Sequence, residues 1–166
     1  GLLACDTFVH AAAIVEPVQF SELSADKLLR AFTINVIPSI LFTRTLAPAM
    51  VTRGWGRIVN LSSIGVKFGG GSKTFPYSLS KHALEIFPQE HKTWAASNVL
   101  INTIRIGVTD TRMHKEDPEK NMDQRVTMIP MKRMATPNEM AKVVYWLGSE
   151  ENSFMTGQII TAAGGE

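Results

Sequence analysis

The chain has 166 residues, of which 45% are hydrophobic and 19% charged, a balance typical of a globular protein with a sizeable core. Its formal net charge of +2 comes without a long lysine or arginine run, so nothing favours nucleic acid as a partner. We find no apolar run of the ~18–20 residues needed to span a bilayer and no signal-peptide pattern, so we expect no membrane association.

A strand and a long helix are the first predicted elements. Residues 7–13 read as a short strand that runs into a turn of small residues. Ser24 is a good helix N-cap, and apolar residues recur at helical spacing from there to about Met50. Pro38 removes one backbone hydrogen bond from this helix, which should therefore bend beside Asn35.

Strands and helices alternate through the rest of the chain. We predict, in order, a strand over 57–61, a helix over 77–96 with a kink at Pro88, a strand over 99–104, a polar methionine-rich segment over 107–132, a helix over 136–147 and a strand over 157–161. Thr136 and Glu139 have the spacing of a capping box. Such alternation predicts a parallel sheet covered by helices on both faces. We expect one α/β domain over residues 1–166.

Tyr77 and Lys81 form the most informative residue pair. On a helix, these two side chains lie one turn apart on the same face. An ammonium held near a phenol stabilises the phenolate and lowers the tyrosine pKa from about 10 toward neutrality, which makes a general acid or base. The spacing alone is more typical of an ordinary surface helix, so the surroundings must decide.

The surroundings favour a site. Residues 57–63 read as a buried strand that ends in the hydroxyls of Ser62 and Ser63, and a glycine-rich loop leads on to the helix that begins near Tyr77. The carboxyl end of a strand, followed by a loop and a helix start, is where open α/β sheets bind ligands. A serine hydroxyl at this strand end could hydrogen-bond the same reacting oxygen as Tyr77.

With this hydroxyl pair, the spacing of Tyr77 and Lys81 and this order of elements, the chain resembles the short-chain dehydrogenase/reductase family. Within that family it is most similar to carbonyl reductases of the 3-oxoacyl carrier-protein reductase type. The resemblance covers about residues 6–165. It implies a Rossmann-like doubly wound parallel sheet, of which this chain carries the C-terminal portion, strands four to seven. The glycine-rich turn that opens the family's dinucleotide site is not found near the start of the sequence.

The resemblance implies four catalytic residues. Tyr77 is the acid and base, while Lys81 lowers the tyrosine pKa and holds the nicotinamide ribose. Ser63 binds the substrate oxygen, with Ser62 as the weaker candidate for that role. Asn35 matches the family's helix asparagine, which holds a water that links the lysine to solvent.

The resemblance also implies NAD or NADP as the cofactor, and no metal. The residues it assigns to cofactor binding are Ala12, Ala13, Tyr77, Lys81, Gly107, Val108 and Thr111. Thr111 is the candidate for a contact with the carboxamide of the nicotinamide. His10, Ala13, Ile106 and Ala163 depart from the family pattern. For His10 we favour a histidine hydrogen-bonded within the strand layer over a catalytic one.

Two functions of different classes stay open. The first is an oxidoreductase that transfers a hydride between a nicotinamide cofactor and a small-molecule carbonyl or secondary alcohol. Methionines in residues 111–134 would then line the substrate or pack beneath a loop, and His114 is expected to be solvated. The second is a non-catalytic relative or fragment that lacks the dinucleotide phosphate site and binds a partner.

The resemblance further implies a homodimer or homotetramer, assembled through the two long helices. Cys5 is the lone cysteine of the chain and cannot form an internal disulfide. A reducing cytoplasm is therefore the expected compartment.

Overall fold

Four parallel strands form one sheet in the computed structural model, which describes residues 4–115 and 121–166. The strands are β1 (Thr7–His10), β2 (Gly56–Ser63), β3 (Val99–Ile106) and β4 (Gln158–Ala162), and they lie side by side in chain order. Each pair is parallel, so helical segments must carry the chain back between strands. The predicted α/β class with a Rossmann-like parallel sheet is confirmed.

Seven α-helices connect and cover the described strands. They are α1 (Ala25–Asn35), α2 (Ile37–Arg53), α3 (Phe75–Ala83), α4 (His91–Trp94), α5 (Arg112–Lys115), α6 (Met122–Met128) and α7 (Pro137–Gly148). The start of α7 has the predicted capping box, in which Thr136 accepts from the backbone of Glu139 and the Glu139 carboxylate accepts from the backbone of Thr136.

Helices pack on both faces of the sheet. Successive side chains of β2 point to opposite faces, so neighbouring residues contact different helices. Ile58 belongs to a buried cluster with Leu46 and Met50 of α2. Its neighbour Val59 belongs to a second cluster with Leu147 of α7. The central strands are therefore buried along most of their length, as expected for a sheet covered on both sides.

The first long helix is broken rather than bent. α1 ends at Asn35, Val36 leaves helical geometry at φ −121° and ψ −56°, and Pro38 lies in the first turn of α2. The predicted disturbance beside Asn35 is confirmed, because proline suits a helix start and not a helix interior. The far end of α2 lies three residues beyond the predicted Met50, where Gly54 caps it in a left-handed conformation.

The prediction of one helix over residues 77–96 is wrong. α3 ends at Ala83, and helical structure resumes only at α4, after Pro88. Proline has no N–H to donate and disfavours helical geometry at the residue before it, so the helix cannot run through this position.

The stretch 25–53 meets a broader criterion than an uninterrupted apolar run. Its 29 residues are long and apolar enough, by length and composition alone, to cross a membrane. Leu46, Ala47 and Met50 on its inner face are at most 1% exposed. Core helices of α/β sheets meet the same criterion, and this buried face accounts for part of the apolar content.

A buried ionic network joins β2, β3 and the chain after α3. The Glu85 carboxylate accepts two 2.7 Å bonds from Arg105 and one from the Ser62 hydroxyl, and His82 lies 3.3 Å away. Burial alone would raise the pKa of Glu85, but the bonds from Arg105 and Ser62 outweigh it and hold the pKa below its usual value. The network fixes the ends of both central strands.

Replacing Glu85 with glutamine should destabilise the fold. The substitution leaves Arg105 without its counter-charge, and we expect a loss of about 3 kcal/mol in the free energy of unfolding at pH 7, measured in urea. Because the folded-state pKa of Glu85 is lowered, its stabilisation is present above the ordinary carboxyl pKa of 4.5 and disappears as pH falls through the folded value.

The difference in the free energy of unfolding between wild type and Glu85→Gln should therefore become smaller below about pH 4.5. Glu90→Gln is the matched control, since Glu90 is exposed. Equal stabilities of the Glu85 and Glu90 variants at pH 7 would contradict a structural role for the network.

Candidate active site

Three strand ends converge at one edge of the sheet. In the parallel register, His10 of β1 faces Asn60, and Ser63 of β2 faces Ile106 of β3. The residues that follow these strands therefore lie at the same edge, which is the ligand-binding edge of open α/β sheets. Ala12, Ala13, Ser63, Gly107 and Val108 all belong to this edge, as predicted.

Helix α3 brings Tyr77 and Lys81 to this edge. Pro76 lies in its first turn, and Lys81 follows Tyr77 by one turn. The Lys81 Nζ lies 5.8 Å from the centroid of the Tyr77 ring. Tyr77 is half-buried, while Lys81 is only 3% exposed. A cation and a phenol therefore share one largely desolvated region.

Ser63 joins Tyr77 and Lys81 in the candidate site, and Ser62 does not. The Ser63 hydroxyl is hydrogen-bonded to Tyr77. Its oxygen accepts from the backbone N–H of Gly65 at 3.1 Å, so its own proton is available to Tyr77. The Ser62 hydroxyl is instead buried and donates to Glu85. Neighbouring residues of a strand point to opposite faces, and only one of the two serines can reach the tyrosine.

Lys81 is held by the backbone of β2. Its Nζ donates to the carbonyl of Leu61 at 2.8 Å. Burial lowers the pKa of Lys81 from 10.5 to about 8. An ammonium has three N–H donors, and the contact with Leu61 uses one of them in the described part of the chain.

The expected effect of Lys81 on the tyrosine is not found. Burial raises the pKa of Tyr77 above its usual value of 10, and the hydrogen bond with Ser63 opposes this only in part. The prediction that Lys81 by itself lowers the Tyr77 pKa is therefore wrong for this structure. The phenol stays protonated at neutral pH, which is the state needed to donate a proton.

Asn35 supports α3 from behind. Its side-chain oxygen accepts from the Ile14 N–H at 2.8 Å, and its amide donates to the Ile14 carbonyl and to the Ser80 hydroxyl. Ser80 in turn donates to the backbone carbonyl of Tyr77 at 2.7 Å. The Asn35 side chain thus ties the loop after β1 to the helix that carries the tyrosine. Its expected role in holding a water stays a prediction.

His10 is buried and hydrogen-bonded, as expected, but the partner of its ring is the end of α1 rather than another strand. It is 4% exposed, and its Nε2 lies 2.9 Å from the backbone carbonyl of Asn35. No local pattern indicates that these two residues meet, because 25 positions separate them.

The predicted cofactor residues fit the nicotinamide end of a dinucleotide. Lys81 has N–H donors left for ribose hydroxyls, and Ala12 and Ala13 are small enough for close approach at the end of β1. Gly107 donates to the Ala162 carbonyl, and an added Cβ would lie 2.5 Å from the Ala163 Cα, so a bulkier residue could not hold this turn. Val108 is buried beside it and Thr111 is half-buried further along.

Parts of the methionine-rich segment lie outside the described residues, namely residues 116–120 and the side chain of His114. Met128 and Met131 are exposed to 68% and 57%, so they do not pack beneath a loop of this chain. Met122 and Met134 are half-buried.

Two concavities lie at opposite edges of the sheet. One of about 450 Å³ is lined by residues before β4, among them Trp146, Asn152 and Phe154. It faces the amino ends of the strands. A much smaller cavity of about 10 Å³ touches Tyr77 and Ala31. Because parallel sheets bind ligands at the carboxyl ends of their strands, the Tyr77 edge is the candidate active site despite its smaller enclosed volume.

Sequence reasoning missed three contributors, namely Ser80, Glu85 and Arg105. Glu85 and Arg105 are each flanked by apolar residues in the sequence. A charged residue in an apolar segment is a usable signal of a buried ion pair, because unpaired charges are rarely buried. The contact of Ser80 has no comparable signal.

Known proteins are similar to this chain over nearly its whole length. A family model described as enoyl-(acyl carrier protein) reductase matches residues 3–166. Acetoacetyl-CoA reductase from Cupriavidus necator is 32% identical over 161 residues, which cover 96% of this chain and 65% of that protein.

Two solved structures are similar throughout the chain. A 3-oxoacyl (acyl-carrier-protein) reductase from Agrobacterium tumefaciens C58 with NADP bound is 30% identical, with a TM-score of 0.85 over 97% of this chain and 64% of that one. A 3-oxoacyl-[acyl-carrier protein] reductase from Brucella melitensis with bound NAD is 30% identical, with a TM-score of 0.85 over 96% of this chain and 61% of that one.

The chain thus spans about 65% of the length of the curated relative described above. The match of the family model extends over nearly all of its residues and includes every residue of the Tyr77 site. The chain belongs to the short-chain dehydrogenase/reductase family.

Proposed function

We propose that this chain carries the proton-transfer site of an NAD- or NADP-dependent oxidoreductase, which interconverts a carbonyl and a secondary alcohol. The observation that carries the proposal is the Tyr77 phenol, hydrogen-bonded to Ser63 and one helical turn from the buried Lys81. Three groups of complementary chemistry meet at the carboxyl edge of the sheet, where a substrate oxygen has access to them.

The residues divide the chemistry between them. A bound nicotinamide supplies the hydride in the reductive direction and accepts it in the oxidative one. Tyr77 gives its phenolic proton to the substrate oxygen as negative charge develops there, and takes a proton back in the reverse reaction. Ser63 orients the same oxygen and stabilises its charge.

Lys81 contributes a fixed cation. Its ammonium favours the phenolate left on Tyr77 after proton donation, although it does not lower the pKa of the resting phenol in this structure. Its remaining N–H donors are suited to the hydroxyls of the nicotinamide ribose. Asn35 and Ser80 keep α3 in place while these charges change.

Both dinucleotides are supported as cofactors, since one similar structure contains NADP and another contains NAD. The names of the relatives point to 3-oxoacyl thioesters as the substrate class. Exposed Met128 and Met131 suit an apolar or variable acyl group. The free thiol of Cys5 is compatible with a reducing cytoplasm.

Tyr77→Phe is the direct test of the assignment. Removing the phenolic proton should lower turnover by roughly 10²–10⁴-fold, measured as oxidation of NADH or NADPH with acetoacetyl-CoA as the probe. The matched control is Tyr145→Phe, because Tyr145 is the chain's other tyrosine and is 68% exposed on α7.

Nicotinamide fluorescence should show that the Tyr77→Phe variant still binds the reduced cofactor. Undiminished turnover in this variant refutes the role of Tyr77. A wild-type chain that binds neither cofactor and turns over no substrate would favour the alternative of a non-catalytic relative.

Lys81→Met should stabilise the fold while it removes activity. Lowering the lysine pKa from 10.5 to about 8 corresponds to a burial penalty of about 3 kcal/mol, which the variant no longer has. The variant also lacks the hydrogen bond to Leu61, which costs it about 1 kcal/mol of stability. We therefore expect a gain of about 2 kcal/mol in the free energy of unfolding at pH 7.

The pH dependence has a definite sign. The folded protein binds fewer protons than the unfolded chain between about pH 8 and 10.5, so wild-type stability should rise relative to Lys81→Met across that window. Urea unfolding at pH 7 and pH 9.5 measures the change, with the exposed Lys92→Met as control. If the Lys81→Met variant is less stable than wild type at pH 7, the buried cation does not destabilise the fold.

We further infer a homodimer or homotetramer. α1, α2 and the segment after α3 leave apolar side chains in solvent, among them Leu29, Ile40 and Ile86, which are exposed to 64%, 59% and 76%. Large exposed apolar surfaces are typical of interfaces. Sedimentation at micromolar concentration should give two or four chains per particle, and Ile40→Glu should lower that number. A wild-type monomer contradicts the inference.

A further inference from the structure

Residues 122–135, which we call the strap, are attached to the chain that follows β3. The strap consists of α6 and the segment after it. At its far end, the Ala135 N–H donates to the Val108 carbonyl at 2.9 Å, and the Ala135 carbonyl accepts from the Asp110 N–H at 2.9 Å. Since Val108 and Asp110 follow β3, backbone hydrogen bonds tie this end of the strap to the carboxyl edge of the sheet.

The middle of the strap packs on the turn that follows β4. The Met131 N–H donates to the Gly164 carbonyl at 3.1 Å, and Ile129 is 2% exposed. A Cβ added to Gly164 would lie 2.9 Å from the Ile129 side chain, and one added to Gly165 would lie 2.9 Å from Pro130. The two glycines therefore permit a close contact that larger residues would prevent.

An ion pair joins α6 to the same turn. The Arg125 Nη2 lies 2.6 Å from one carboxylate oxygen of Glu166 and 2.8 Å from the other. The Glu166 side chain is 7% exposed and the Arg125 side chain 21%. Nη1 of Arg125 is buried without a hydrogen-bond acceptor within the described ranges. Glu166 is thus the counter-charge of a largely desolvated guanidinium, and loss of either partner leaves the other uncompensated.

A second ion pair of the strap offers a contrast. Arg133 donates to both carboxylate oxygens of Glu139, at 2.9 and 2.7 Å. Their side chains are 49% and 41% exposed, so solvent screens this pair and it contributes little to the position of the strap. The pair of Arg125 and Glu166 is the one that burial makes strong.

The strap carries two exposed methionines, Met128 and Met131. Their unbranched side chains adapt to an apolar surface, but only the backbone of the strap fixes where they lie. The mechanism above uses neither Arg125 nor Glu166, and their ion pair includes no residue of the Tyr77 site.

We propose that Arg125 and Glu166 are positioning residues for the substrate: their ion pair fixes the strap, so that Met128 and Met131 form a wall for the apolar part of the substrate beside the Tyr77 edge. This inference rests on the proposed function. The predicted cofactor residues lie outside the strap. Loosening the strap should therefore weaken substrate binding, while the chemical step and cofactor binding change little.

The first test needs no cofactor or substrate. In Glu166→Gln, hydrogen exchange at the Met131 amide should be about tenfold faster than in wild type, because this part of the strap opens more often. The Ala135 amide is bonded at the other end and should exchange at the wild-type rate. Equal Met131 exchange rates in the two proteins would overturn the proposed role of the ion pair.

The second test uses matched substitutions. Arg125→Met removes the buried ion pair, Arg133→Met removes the exposed one, and Arg125→Lys keeps the charge. With acetoacetyl-CoA as the probe, Arg125→Met should raise KM about tenfold and leave kcat within about twofold of wild type. Binding of the reduced cofactor, measured by nicotinamide fluorescence, should be unchanged. Arg125→Lys should raise KM less than Arg125→Met, and Arg133→Met should match wild type.

The outcomes distinguish the two proposals. Turnover with an unchanged KM in Arg125→Met, or a loss confined to kcat, overturns the positioning role while the oxidoreductase assignment stands. Faster Met131 exchange in a chain without turnover upholds the dependence of the strap on the ion pair, while the proposed function fails.

Discussion

The burial of one cation is the constraint on which the rest of this site depends. The Lys81 ammonium is 3% exposed, and within the described part of the chain it donates to the Leu61 carbonyl of β2. A buried charge of this kind destabilises a fold unless it has partners. Strongly shifted pKa values cluster at functional sites, so this cation beside a phenol and a serine hydroxyl marks the edge as the candidate active site.

Two polar networks keep this arrangement rigid. On one side, Glu85 binds Ser62 and Arg105 and fixes the ends of β2 and β3, next to Ser63. On the other, Asn35 and Ser80 hold α3 against the loop after β1. Neither network touches the reacting atoms. They hold the strand end and the helix in register, so that Ser63 and Tyr77 meet without rearrangement.

Much of this could be predicted from the sequence, where the signal is local. Proline at position 38 and the capping pair Thr136 and Glu139 marked helix boundaries because each acts on its own backbone. Apolar runs placed all four strands to within a few residues. The convergence of Ser63 with Tyr77 and Lys81 could be predicted from the parallel topology. The carboxyl ends of parallel strands meet at one edge of the sheet, and the helix with Tyr77 and Lys81 follows the strand that ends in Ser63.

The features that escaped prediction depend on contacts between distant residues. Apolar neighbours mark Glu85 and Arg105 as candidates for burial, but no local pattern says that they pair with each other, or that His10 meets Asn35. The direction of the Tyr77 pKa shift was wrong because spacing gives the proximity of Lys81 but not the depth of burial. Desolvation of the phenol outweighs a cation that is already engaged by a backbone carbonyl.

The most direct measurement is the titration of Lys81 itself. In protein labelled with ¹³C at lysine, the Cε signal absent from Lys81→Met identifies this residue, and its chemical shift can be followed from pH 6 to pH 12. The buried ammonium should titrate near pH 8, well below the ordinary value of 10.5. A midpoint near 10.5 would show that the lysine is solvated, and that no desolvated cation supports Tyr77.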